Sequence, residues 1–297
     1  MYAVIDIGSN TIRLSFYRVS RGKIVALMNR KTVAGLVSYI DKDNNLTLEG
    51  VNTLIEVLTE HKIILKGLKQ KHVYAFATAS LRNIANSESV LKRVTEETEL
   101  AIDLLSEEEE ATFGYLGAVQ SVTLKEGLYV DIGGGSTELV FFKRNKIIYS
   151  CSLGLGSLNA YVKFVSKLIP TKEEEKEIFK YFTSLLKEIP KIPDVNCDDI
   201  CGVGGTIRAS LRIQERLTRL KSNGYTINDL RNILDRKDYM KYITNILKTR
   251  PDRIHTITTG LIILNAIATF YDSKRIYIST YGVREGYLQD KILQIQE

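Results

Sequence analysis

Two stretches of the chain share one hydrophobic pattern. Leu128–Phe142 reads LYVDIGGGSTELVFF: an apolar run into Asp131, glycines at 133, 134 and 135, then Ser136, Thr137 and a second apolar run. Apolar runs rich in β-branched and aromatic residues and broken by glycine predict two strands joined by a tight turn. Tyr2–Phe16, YAVIDIGSNTIRLSF, has the same strand, the same Asp-Ile-Gly and the same outgoing strand. The repetition predicts an α/β chain of two similar halves whose turns face each other. Glycine tolerates positive φ and lets a ligand reach bare backbone, so such turns can cradle a phosphate. Taken alone, each is equally an ordinary glycine hairpin.

The remaining pattern fills in both halves. Strands are predicted at Ala3–Asp6, Ile12–Val19 and Lys23–Met28, with a turn at Arg21-Gly22. A helix follows over Leu46–Lys69, then a strand at Val73–Ala77, a helix over Ser87–Thr98, a strand at Ala101–Leu105 and a helix over Glu107–Gln120. The second half opens with strands at Leu128–Asp131, Thr137–Phe142 and Lys146–Ser152. Thr171 with Glu174 forms a capping box that starts a helix running to about Lys187. Ile200–Val203 is a strand ending in Gly204-Gly205-Thr206. A helix-rich part contains the break at Pro251 and an apolar helix over Ile254–Phe270. A strand at Ile276–Ser279 and a helix over Val283–Ile295 close the chain. The domain boundary is placed at residue 122, giving 1–122 and 123–297, with the last helix (283–297) able to pack back on the first half.

Composition narrows the class. A chain of 297 residues with 44% hydrophobic and 26% charged residues suits a soluble protein of two domains. The net charge of +6 favours anionic ligands. Cys151, Cys197 and Cys201 are too few and too irregular for a disulfide framework, and their spacing lacks a second zinc-ligand pair. The first residues pattern as a strand rather than a leader, and the apolar stretch at Gly260–Phe270 is too short to cross a bilayer. A cytoplasmic protein that binds neither membrane nor nucleic acid is expected.

The phosphate turns differ from the dinucleotide and P-loop types, which open a helix; here Thr137-Glu138 continues into a strand. Six motifs together, DIGSNTIRL (6–14), ATASLRNIAN (77–86), SEEEEATFGYLGA (106–118), DIGGGSTELV (131–140), GVGGTIRAS (202–210) and YGVREGYL (281–288), resemble the exopolyphosphatase/guanosine pentaphosphate phosphohydrolase family. They occur in the family's order and span nearly the whole chain. The resemblance implies two duplicated actin-like (ribonuclease H-like) domains with a phosphate-binding cleft between them. It also implies release of orthophosphate from the ends of inorganic polyphosphate, or hydrolysis of guanosine pentaphosphate to tetraphosphate in the stringent response. Mg²⁺, or Mn²⁺ in its place, would be the cofactor, and a homodimer is compatible with the family.

Carried over by motif, the resemblance makes Glu110 the base for an attacking water and Arg82 a clamp on phosphate. The residue pattern alone does not single out Glu110, because Ser106 and Glu109 form a capping box and acids are favoured at a helix start. Asp131, Glu138 and Asp6 are the expected metal carboxylates, although aspartate also caps tight turns. Ser9, Asn10, Thr78, Gly133, Gly134, Gly135 and Ser136 are expected at phosphate, and Gly204, Gly205 and Thr206 at a distal part of the substrate. Lys62, Lys66, Lys69 and Lys71 read either as a track for a polyanion or as a solvated helix face. The chain departs from the family at Thr112, where an arginine is expected, and at Lys31–Leu36, which lacks the family's arginine. His61, His72 and His255 include no His-Asp pair of the kind that longer members carry in an extra domain. Two other readings stay open: an actin-like ATP-dependent kinase or ATPase, and a weakly catalytic sensor of guanosine alarmones.

Overall fold

The computed structural model describes residues 1–20, 23–192 and 194–296, so the turn expected at Arg21-Gly22 lies outside the described residues. The chain divides into two compact units, residues 1–110 with 287–297, and residues 111–286. The sequence predicts a boundary at 122; the division falls inside the helix Glu107–Ala118, where composition gives no signal.

Unit 1 begins with β1 (Tyr2–Ile7), β2 (Thr11–Ser20) and β3 (Lys23–Val33), followed by α1 (Leu48–Gly67), β4 (His72–Ala77), α2 (Ala79–Arg82), α3 (Ser87–Thr98), β5 (Asp103–Leu104) and the start of α4 (Glu107–Ala118). The sheet order is β3-β2-β1-β4-β5. β1 is the central strand and is buried on both faces, with Ala3, Val4, Ile5 and Ile7 fully covered. β5 shrinks to two residues, because an edge strand has a partner on one side only. Tyr287 joins this unit by donating its hydroxyl to Asp103 Oδ2 at 2.8 Å, and its ring packs on Phe76.

Unit 2 repeats the plan. It comprises β6 (Glu126–Ile132), β7 (Thr137–Lys143), β8 (Lys146–Leu153), α5 (Ser157–Phe164), α6 (Lys172–Lys187), β9 (Asp199–Val203), α7 (Gly204–Thr218), β10 (Gly224–Thr226), α8 (Ile227–Leu234), α9 (Tyr239–Thr249), α10 (Ile254–Phe270), β11 (Arg275–Ile278) and the start of α11 (Val283–Gln296). Its sheet order, β10-β11-β9-β6-β7-β8, is that of unit 1 with β10 added at the far edge. The duplication extends to an irregularity. The bulge between Phe16 and Tyr17 recurs between Phe141 and Phe142, each starting ten residues after the matching aspartate, Asp6 or Asp131.

The capping box at Thr171 is formed, with Glu174 N donating to Thr171 Oγ1 at 3.2 Å and Thr171 N to Glu174 Oε2 at 2.7 Å. The apolar segment is longer than Gly260–Phe270. Pro251–Phe270 is long and apolar enough to cross a membrane by length and composition, but 12 of the 17 residues of α10 are buried inside unit 2. It is a core helix, and the largest apolar cluster of the unit forms around it.

Candidate active site

Four consecutive glutamates open α4, and local bonding separates the last from the rest. Ser106 N donates to Glu109 Oε2 at 2.8 Å and Glu109 N to Ser106 Oγ at 3.1 Å, so Glu109 completes the capping box. Glu110, one residue on, points about 100° around the helix. There Arg82 Nη1 donates to its Oε2 at 3.0 Å and to the Leu105 carbonyl at 2.8 Å. Arg82 Nη2 lies 3.8 Å from Glu107, and both members of the Arg82–Glu110 pair are largely buried, with side chains 15% and 14% exposed. Arg82 Nε is buried with no protein partner. Arg82 ends the one-turn helix α2, which Ser80 ties to β1 by donating to the Ile7 carbonyl at 2.7 Å. Thr78, the residue before α2, makes no capping bond with its hydroxyl and is half-buried.

The first glycine turn lies in the same unit. Gly8 N donates to the Thr11 carbonyl at 3.1 Å, while the carbonyls of Ser9 and Asn10 accept from the amides of Val37, Ala34 and Gly35. The turn's acceptors are therefore consumed by the following loop. Asp6 sits directly opposite Arg13 in the β1–β2 ladder. Opposed residues share a face, so Asp6 has a guanidinium across the strand.

The second turn repeats the arrangement with a different chemistry. Gly133 N donates to the Ser136 carbonyl at 3.0 Å, and the carbonyls of Gly133 and Gly134 accept from the amides of Ser157, Leu158 and Asn159 at the start of α5. Asn159 Nδ2 covers the Gly135 carbonyl at 2.6 Å. Among the described residues, the amides of Gly134 and Gly135 donate to no protein acceptor. The result is a loop with its oxygens tied back and two N–H groups left for an anion. Gly156 is required here, since a Cβ would lie 2.6 Å from the Gly134 carbonyl carbon.

Asp131 sits opposite Glu138 in the β6–β7 ladder, so two carboxylates share a face where unit 1 has an acid and a base. Glu138 is buried, and its Oε1 accepts from Ser136 Oγ at 2.6 Å and Ser152 Oγ at 3.1 Å. The Ser136 hydroxyl, expected at phosphate, is thus committed to Glu138. Among the described residues no three His, Cys, Asp or Glu side chains converge as a metal cage. Mg²⁺ commonly takes only one or two carboxylates and completes its shell with water and phosphate oxygens. Asp131 with the oriented Glu138 has the donor chemistry for that mode.

The third glycine turn adjoins Asp131. Gly204 has φ +93°, and a Cβ there would lie 2.6 Å from Asp131 Oδ1. Thr206 is fully buried, its hydroxyl has no partner and its methyl packs on Gly260. This side chain is not open to a ligand; the first-turn amides of α7 are what the segment can offer an anion.

Two arginines join the expected residues. Arg208 lies one turn into α7, within 3.4 Å of the Ser279 and Thr280 carbonyls; burial lowers its pKa, and Asp131 opposes that shift. Arg253, just before α10, lies over Gly205, where a Cβ would be 2.6 Å from its guanidinium carbon. Burial again lowers its pKa, with Arg250 acting in the same sense and Asp252 and Asp131 opposing. Among the described residues Arg253 makes no ion pair and no side-chain hydrogen bond. Arg208 was visible inside the GVGGTIRAS motif, whereas the only signal for Arg253 was its place after Pro251.

Residues 15–295 match the Ppx/GppA phosphatase family. The chain is 26% identical over 295 residues to the bifunctional 3-dehydroquinate synthase/phosphatase of Fusobacterium nucleatum, covering 93% of this chain but only 44% of that protein. The crystal structure of the Aquifex aeolicus Ppx/GppA family member superposes with a TM-score of 0.84 at 28% identity, covering 100% of this chain and 98% of the other. An exopolyphosphatase from Cytophaga hutchinsonii shares the fold, with a TM-score of 0.86 at 21% identity over 99% and 98% of the two chains. The two sheets of common topology are the two actin-like domains of these proteins, and the chain belongs to the Ppx/GppA phosphatase family.

Proposed function

We propose that the protein is a phosphoanhydride hydrolase that removes the terminal phosphate of inorganic polyphosphate, of guanosine pentaphosphate, or of both. The observation that carries this reading is the position of Glu110, held by Arg82 while its neighbour Glu109 is used in capping. Glu110 accepts a proton from the attacking water as its oxygen bonds to phosphorus and the bridging P–O bond breaks. Arg82 fixes the carboxylate's direction and places a guanidinium charge beside it. The amides of Gly134 and Gly135, with Arg208 and Arg253, are suited to the charge that gathers on the phosphoryl oxygens. Asp131 and Glu138 would hold Mg²⁺, which when bound neutralises phosphate charge. In unit 1 the residue opposite Asp6 is Arg13 rather than a second carboxylate, so that hairpin is the poorer of the two for a metal.

Phosphate release from tripolyphosphate, long-chain polyphosphate and guanosine pentaphosphate, each with Mg²⁺ and with EDTA, tests the reading. Mg²⁺-dependent release from at least one of the three is expected. Release only from ATP, or from none of them, would refute it.

A further inference from the structure

A groove of about 420 Å³ in unit 2 is lined by five cations, Arg212, Arg216, Arg219, Lys221 and Lys248, against the single carboxylate of Glu215. Three of the five come from one face of α7, at i, i+4 and i+7, a spacing that makes like charges repel. Cations near a helix C-terminus are ordinarily explained by the macrodipole and the last carbonyls. That account covers Arg216, which donates to the Lys248 carbonyl at 3.1 Å where α9 ends. It extends to Lys248 in the last turn of α9 and to Arg219 at the C-cap of α7, but not to Arg212; all five side chains are solvent-exposed, and among the described residues none has a carboxylate within ion-pair range. The groove wall also holds the Thr249 hydroxyl, a buried polar atom without a partner. Arg219 occupies the left-handed C-cap position, φ 62°, where glycine or asparagine is favoured.

The groove shares α7 with the third glycine turn. Arg212 to Arg219 lie eight to fifteen residues past Gly204, about 12–22 Å along the helix axis. We propose that this groove anchors the distal phosphates of a condensed-phosphate chain, an inference that rests on the polyphosphate reading above. A polymer held there and at the reacting end gains affinity from the second contact, whereas a substrate of a few phosphates does not reach it. No aromatic side chain lines the groove. Base stacking on aromatic rings is the usual device of single-strand binders, so the site suits a chain of bare phosphates better than a nucleic acid.

The test is the charge-reversed pair Arg212→Glu with Arg219→Glu, the Lys-substituted pair serving as control for folding and charge. Direct binding of long-chain polyphosphate and of tripolyphosphate is measured at low ionic strength without divalent cation, alongside KM and kcat for both. The reversed pair should weaken long-chain binding and raise long-chain KM about tenfold, with tripolyphosphate and kcat unchanged and the Lys pair close to the parent. Unchanged long-chain binding, or an equal loss for tripolyphosphate, would overturn the proposal. So would an oligonucleotide of matched charge bound as tightly as polyphosphate. If the parent protein hydrolyses no polyphosphate but its groove still binds the long chain, the polyphosphate half of the proposed function fails and the anchoring site stands.

Discussion

Arg82 Nη1 donates to Glu110 Oε2 at 3.0 Å and, from the same nitrogen, to the Leu105 carbonyl at 2.8 Å. The second bond fixes the guanidinium to the backbone, so Glu110 is aimed by a rigid partner rather than by a mobile surface arginine.

Arg82→Ala should therefore reduce kcat by at least about a hundredfold, since it removes both the aim of the carboxylate and the positive charge beside it. Arg82→Lys keeps one charge but cannot bond the carbonyl and the carboxylate as a planar fork. It is expected to recover only part of that loss, as read in steady-state phosphate release. Full activity in Arg82→Lys would show that charge alone suffices.

On the other hairpin, Glu138 is oriented by Ser136 and Ser152, and Asp131 lies opposite it. Asp131→Asn and Glu138→Gln should each raise the Mg²⁺ concentration for half-maximal activity about tenfold or more, and loss of the Ser152 hydroxyl should do so more weakly. Mn²⁺ binding followed by electron paramagnetic resonance gives a readout independent of turnover. Asp6→Asn should shift that binding less, because Arg13 lies across from it.

How far the sequence carried can be judged from particular residues. The hairpins, the capping boxes at Ser106 and Thr171, and the long helices were legible because periodicity and capping are local. The separate duties of Glu109 and Glu110 were not, since they depend on Arg82, which is 28 residues away in sequence. The burial of Thr206 and the commitment of Ser136 to Glu138 were likewise hidden: a motif names a residue without giving its side-chain direction. Arg253 was missed because a single arginine after a proline has no local signature, and only folding brings it over Gly205. Of the four lysines that read either as a polyanion track or as a solvated helix face, Lys62 is paired with Glu99.

Two glycine substitutions should dissociate stability from activity. At Gly286 a Cβ would lie 1.9 Å from the Phe113 carbonyl oxygen, so Gly286→Ala must displace backbone and is expected to cost about 1–3 kcal/mol. At Gly205 the obstacle is the flexible end of Arg253. Gly205→Ala should leave the Tm within a few degrees of the parent while displacing that guanidinium and lowering kcat/KM. Calorimetry and phosphate release on the two variants check both expectations.

His61 sets an acid limit on stability. It is fully buried, its Nδ1 has no partner, and burial, aided by Arg30 and opposed by Glu60, lowers its pKa to about 4. The unfolded chain protonates near the ordinary value of about 6.5, so it binds the proton first as pH falls. His61 is therefore neutral in the fold without penalty above pH ~6.5, and stability drops between there and pH ~4. The loss at pH 5 is about 2 kcal/mol. A neutral substitute such as His61→Gln should flatten the dependence of Tm on pH over that window, whatever its effect at pH 8. An unchanged slope would locate the acid sensitivity elsewhere.

The most direct measurement compares Glu110→Gln with Glu109→Gln in Mg²⁺-dependent phosphate release from tripolyphosphate. Glutamine preserves the capping bond at 109, so that variant should turn over within about twofold of the parent. Glu110→Gln cannot take the proton of water and should lose kcat by about two to four orders of magnitude with little change in KM. Comparable turnover by the two variants would contradict the assignment of the reaction's proton to Glu110.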